Sequence, residues 1–187
     1  MNRLFAALTA ALLLLSGVAR ADHHMADVKE GPSCKYCGMD RAKFAASRMV
    51  VEYDDGSKLS ACSLHCVAVD LALQIDRTPA AIKVADFGTQ ALLDAEKAVW
   101  VLGGSKPGVM TKRAKWAFAE KAAAEAFVKE NGGTLASFED AVKAAYEDMY
   151  QDNKMIREKR KAMRAAKQPA AAPAAPAKQA EKAGHAH

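Results

Sequence analysis

Behind an apolar run at residues 4–15, the chain breaks into short blocks of changing hydrophobic period. Residues 48–53 (RMVVEY) are β-branched and apolar, which predicts a strand. Asp54-Asp55-Gly56 reads as a hairpin turn, with glycine where a positive φ is needed, and residues 58–61 as the return strand. From Cys62 the period changes: Leu64, Val67, Ala68, Leu71 and Ala72 fall at three- and four-residue spacings, as on one helix face. Thr78-Pro79 closes that helix, and residues 82–84 with 86–87 read as a further strand.

The second half repeats the plan. Residues 98–102 (AVWVL) predict a strand, 103–108 a loop and 115–118 a short strand. Residues 120–130 predict a helix with Ala123, Ala124 and Phe127 on one face, stopped by Gly132-Gly133. Residues 134–138 read as the last strand, and Ser137 as the cap of a helix running from 139 to 167. The order predicts an α+β fold: two similar small strand-helix-strand lobes, about 34–95 and 96–140, followed by a C-terminal helix and a disordered tail.

The ends read differently. Arg3, the apolar run and Ala19-Arg20-Ala21 predict a signal peptide over residues 1–21, since the run is too short to span a bilayer. The expected mature protein is soluble, in the periplasm or otherwise secreted, and no lipid anchor is expected. Cleavage after Ala21 would expose Asp22-His23-His24, whose amine and third-position imidazole suit Cu(II) or Ni(II); a chance polar terminus weighs more. Residues 22–33 read as a disordered leader and 168–187, rich in proline and alanine, as a disordered tail in which His185 and His187 offer loose metal contacts.

Charge narrows the partners. The chain carries +5 in all, but residues 22–153 hold 16 basic and 20 acidic side chains, a net −4. Residues 154–167 hold seven bases and only Glu158, so the positive charge is confined to a basic helical extension, residues 141–167. A nucleic-acid-binding face would spread Lys and Arg over the folded domain, so no nucleic-acid partner is expected.

The chemistry gathers at the four cysteines, Cys34-x-x-Cys37 and Cys62-x-x-x-Cys66. The predicted hairpin returns the second pair to the first. Cys62, His65 and Cys66, at i, i+3 and i+4, would share one face at the first turn of a helix, whose positive end favours thiolates. Three readings compete: structural zinc on four thiolates, two disulfides, or copper(I) on thiolate and thioether sulfur. Met39 and His65 find a use only in the copper reading, which makes Cys34, Cys37, Met39, Cys62, His65 and Cys66 the candidate metal ligands, not all at once. Thioredoxin-like chemistry fits less well, because Gly31-Pro32 rather than a strand precedes Cys34; haem attachment would need histidine where Gly38 stands. No catalytic constellation emerges, so an enzyme is not expected.

Cys-x-Tyr-Cys-Gly-Met at residues 34–39, the strand–Asp-Gly–strand that follows, and Ala-Glu-Ala-Phe-x-x-x-x-Gly-Gly at residues 124–133 resemble the NosL family over roughly residues 31–140. Those proteins are periplasmic copper(I)-binding accessory proteins of nitrous oxide reductase. The resemblance implies one Cu(I) held by cysteine and methionine, with histidine a further candidate, and delivery as a metallochaperone to nitrous oxide reductase or its membrane assembly complex. Carried onto this chain, it points to Cys37 and Met39 first, with Cys34 at the start of the motif and Met110 a minor candidate in the second lobe. The alternative is a zinc- or disulfide-stapled interaction module whose basic helix docks a partner.

Overall fold

A computed structural model describes residues 25–167. The expected signal peptide, the Asp22-His23-His24 terminus and the proline-rich tail with His185 and His187 lie outside the described residues.

Two small antiparallel sheets repeat one topology. In the first, β1 (Met49–Tyr53) lies between its hairpin partner β2 (Lys58–Ala61) and β3 (Pro79–Ala85), and β4 (Leu92–Asp94) adds the edge. In the second, β5 (Val99–Leu102) lies between its partner β6 (Lys115–Phe118) and β7 (Thr134–Ala136). Each hairpin is followed by a helix that carries the chain back to the opposite side of the first strand: α2 (Leu64–Leu73) in the first lobe, α3 (Lys121–Asn131) in the second. The α+β reading with two strand-helix-strand units is therefore the observed architecture. It closes on α4 (Phe138–Lys167), which packs on α2 and β5.

Local chemistry accounts for the boundaries. Gly56 takes φ +80 at the β1–β2 turn, where its N–H donates to the carbonyl of Tyr53 (2.9 Å). Ser137 and Asp140 cap α4 reciprocally: the Asp140 N–H donates to Ser137 Oγ (3.1 Å) and the Ser137 N–H to Asp140 Oδ2 (3.0 Å). That cap ends β7 at Ala136, short of the expected 138. Asp86 is not a strand residue but a junction, accepting the N–H of Gly88, Thr89 and Ala119 (3.0, 2.7 and 2.8 Å) and so tying the first sheet to the second. The three-residue β4 was not expected, being too short to show a period.

One apolar core runs through both lobes. Met49, Val51, Leu59 and Val67 of the first meet Trp100, Phe138, Ala141 and Ala145 of the second half. A smaller aromatic cluster joins Phe87 to Trp116 and Phe127, each with ring centroids 4.9 Å apart.

The leader corrects the sequence reading. Residues expected to be disordered form α1 (Ala26–Glu30), because its Asp27 enters the fold between two arginines. Arg41 and Arg48 have no exposed surface. Arg41 Nη2 donates to Asp27 Oδ2 (2.7 Å) and Arg48 Nε to the same oxygen (2.9 Å). Arg41 also donates to the carbonyls of Gly31 (2.6 Å), Ala61 (3.1 Å) and Met49 (3.1 Å), and Arg48 to those of Ala45 and Gln90 (2.9 and 2.8 Å). Polar sequence alone does not show this, since a buried charge is recognisable only through its partners. The clamp anchors the chain at Gly31, three residues before Cys34, and at Ala61, immediately before Cys62.

Removing Asp27 would leave two buried guanidinium groups facing each other. Asp27→Ala is expected to destabilise the fold by about 3 kcal/mol or more in urea denaturation, and an unchanged midpoint would contradict the clamp's role.

Candidate metal centre

The Cys34–Met39 segment folds on itself. The Cys34 N–H donates to the Met39 carbonyl (2.9 Å) and the Gly38 N–H to the Cys34 carbonyl (2.9 Å). Gly38 takes φ +74, which a side chain would resist. This loop turns Cys34 and Cys37 toward one point. Cys62 lies just after β2, Ser63 is the N-cap of α2, and Cys66 sits in its first turn. Loop, strand end and helix start thus deliver one pair of sulfurs each way.

All four thiols are free, and their sulfurs lie within 4.8 Å of one another. Cys37 and Cys62 Sγ are 3.4 Å apart, Cys62 and Cys66 Sγ 3.9 Å. A disulfide would need about 2.05 Å. A tetrahedral metal with sulfur at about 2.3 Å sets its ligands about 3.8 Å apart, so the cluster already has the spacing of a thiolate centre. Cys34, Cys62 and Cys66 are buried, and Cys37 alone is half-exposed.

The charge is unevenly shared. Hydrogen bonds from Cys37, Cys62 and Cys66 pull the Cys34 thiol far below its ordinary value. Cys34 opposes ionisation of Cys37, but Cys62 and Cys66 donate to it and leave it lowered to about 7. Cys62 is pushed up by Cys34 and Cys37, and Cys66 by Cys34, Cys37 and Cys62. The loop pair is thus drawn toward the thiolate form and the strand–helix pair toward the thiol. Four thiolates this close repel one another, so a soft cation is what would let the remaining thiols ionise.

A buried carboxylate holds the loop against the helix. Asp70 on α2 accepts the hydroxyls of Tyr36 and Tyr53 and lies 3.4 Å from Lys35 Nζ. Burial opposes its charge, yet these donors hold its carboxyl below the usual range, and Tyr36 and Tyr53 are pushed up in turn, first by burial and then by Asp70. Tyr36 stands between Cys34 and Cys37, so this bond fixes the cysteine loop to the helix that bears Cys66. Sequence reasoning passed over Asp70; its one signal was a carboxylate in an otherwise apolar helical stretch, LHCVAVDLAL.

The other two candidates, His65 and Met39, differ in where they lie. His65 does not join the sulfur cluster. Cys62 precedes the helix cap, so the expected i, i+3 relation to His65 does not apply, and the His65 ring is directed to α4. There its Nδ1 lies 3.7 Å from Asp152 Oδ2, with both residues buried. Burial lowers the His65 pKa, with Asp152 partly offsetting it, which favours a neutral imidazole. Met39 lies beside the cluster: with Cys37, Met110 and the outer part of α4 it lines a groove of about 610 Å³.

Fold and cluster together define a metal-binding protein whose four sulfurs converge at the start of a helix. The chain belongs to the NosL family, whose pattern matches residues 25–146 and so takes in all four cysteines and both sheets. The crystal structure of the copper chaperone NosL from Shewanella denitrificans shares the fold, with a TM-score of 0.50 over 57% of this chain and 87% of that one, at 24% identity. No curated protein matches the chain.

The uneven exposure and charge make the thiols distinguishable. In the reduced, metal-free protein, a small alkylating reagent should modify Cys37 first, at a rate that rises through about pH 7 as its thiolate forms. Peptide mapping by mass spectrometry reads this directly, and equal modification of all four cysteines would contradict the arrangement.

Proposed function

We propose that this chain is a periplasmic copper(I) chaperone. It binds Cu(I) on its cysteine cluster and passes it by ligand exchange to a client copper enzyme, in the first place nitrous oxide reductase or the membrane complex that assembles it. The observation that carries the reading is the cluster itself: four free thiols within 4.8 Å, three buried and one open to a surface groove. Family membership and a copper chaperone of the same fold support it.

The chemistry fits a carrier. Thiolate is a preferred ligand of Cu(I). Cu(I) on four thiolates would leave a buried charge of −3, whereas two thiolates leave −1. The Cys34 and Cys37 thiols are shifted toward ionisation and those of Cys62 and Cys66 away from it, which favours a centre with fewer than four thiolates. Cys37 faces solvent and is the ligand an incoming sulfur or nitrogen donor reaches first. Met39 beside it offers a neutral sulfur to the ion as Cys37 lets go.

A second reading has a specific observation behind it. The sulfur–sulfur spacing suits zinc equally, and three buried cysteines resemble a closed structural site. The two differ in what removing the metal does: a zinc staple unfolds under chelation, a cargo site does not.

Anaerobic titration of the reduced protein with Cu(I) against a competing chelator is expected to show one tight equivalent with thiolate-to-copper absorption. Cys62→Ser and Cys66→Ser should weaken it by about a hundredfold or more, and Cys37→Ser should slow transfer to the chelator as well. Copper-loaded protein should activate metal-free nitrous oxide reductase. Absence of tight stoichiometric binding, or zinc whose removal unfolds the chain, would overturn the proposal.

A further inference from the structure

The cluster holds more thiols than one cuprous ion needs. Two thiolates already give Cu(I) a net negative charge, yet four free thiols lie within 4.8 Å of one another. They divide by spacing and access. Cys37 and Cys62 Sγ are 3.4 Å apart, so a movement of about 1.4 Å would bring them to bonding distance. Cys37 has room for it: it is half-buried, and the space beside the neighbouring Gly38 is open. The backbones that carry the two sulfurs are already joined, since the Lys35 N–H donates to the Ser60 carbonyl (3.1 Å). Cys34 and Cys66 are the inner pair, 2% and 1% exposed, and their sulfurs also lie within 4.8 Å of each other. With metal–thiolate bonds of about 2.3 Å, a linear S–metal–S unit spans about 4.6 Å, which this pair accommodates.

We propose that the cluster is also a cupric reductase: it oxidises Cys37 and Cys62 to a disulfide, reduces Cu(II) to Cu(I), and keeps one Cu(I) on Cys34 and Cys66. The inference rests on the copper reading of the cluster and extends it from carriage to reduction. The electrons balance. Two Cu(II) ions take up one electron each. Cys37 and Cys62 supply both, form one S–S bond and release two protons. One Cu(I) stays on Cys34 and Cys66, which release two further protons, and the second Cu(I) leaves by the groove that Cys37 lines. Thiolate sulfur selects Cu(I), whereas Cu(II) prefers nitrogen and oxygen in a square plane, so the ligands that hold the product also drive the reduction. A dithiol reductant reopens the disulfide by exchange, entering at the half-exposed Cys37.

The test is anaerobic mixing of the reduced full chain with two equivalents of Cu(II). The Cu(II) electron paramagnetic resonance signal should disappear, and a chromogenic Cu(I) chelator should recover two Cu(I) per chain. Peptide mapping should find one cross-link, Cys37 to Cys62, within the chain. Cys37→Ser leaves only buried thiols and should slow the loss of signal at least about tenfold. Cys66→Ser should keep the cross-link but no longer retain Cu(I) through gel filtration. A persistent Cu(II) signal, cross-links scattered over several cysteine pairs or formed between chains, or an undiminished rate in Cys37→Ser would overturn the proposal. Direct titration of the same sample with Cu(I) separates the two readings: tight Cu(I) binding without reduction of Cu(II) overturns this inference alone, and absence of Cu(I) binding strikes the copper reading beneath it.

Discussion

Four sulfurs that repel one another once ionised are held within 4.8 Å, and the rest of the molecule serves that constraint. Two buried polar devices supply the restraint. The Arg41–Asp27–Arg48 clamp joins α1 to the carbonyls of Gly31, three residues before Cys34, and Ala61, immediately before Cys62. Asp70 ties Tyr36, inside the cysteine loop, to the helix that carries Cys66. Each is a buried charge whose cost is offset only while its partners stay in place, so each specifies one geometry. A hydrophobic core of this size could keep the lobes together, but it could not set sulfur–sulfur spacings to a few tenths of an ångström.

From that constraint follows a gradient. Cys62 and Cys66 are buried, with their pKa values pushed up by the neighbouring thiols; Cys34 is buried and Cys37 half-buried, both with pKa values drawn down. Cys37 opens on a groove whose lining includes four methionines and three basic side chains. A protein that stored its metal would bury all four ligands alike, and one that catalysed with it would keep a polar pocket around an open position. A graded path from buried thiolate to surface suits handover. The repeated lobe architecture fits the same division: the first lobe bears the cysteines, and the second, with α4, contributes Met110, Met155 and Met163 to the groove that Cys37 lines.

Much of this was readable in the chain, for identifiable reasons. Hydrophobic period and turn chemistry marked both strand-helix-strand units, because β1, α2, β5 and α3 bury one face each. The cysteine spacings pointed to one shared centre. What the sequence concealed were interactions between residues far apart in it. The polar stretch around Asp27 read as disorder because its two arginine partners lie 14 and 21 residues on. His65 was placed with the cysteines on helical spacing, which failed once Cys62 proved to lie outside the helix; its partner, Asp152, is 87 residues away. Met39 and Met110 drew notice singly, but a methionine groove exists only after α4 folds back over the loop.

The central claim is that a soft monovalent ion sits on the cysteine sulfurs, apart from His65. X-ray absorption at the copper edge of the protein loaded with one equivalent of Cu(I) tests it most directly. The account predicts reduced copper with a first shell of sulfur alone, unchanged in His65→Ala. Nitrogen in that shell that disappears in His65→Ala, or copper bound without sulfur, would contradict it.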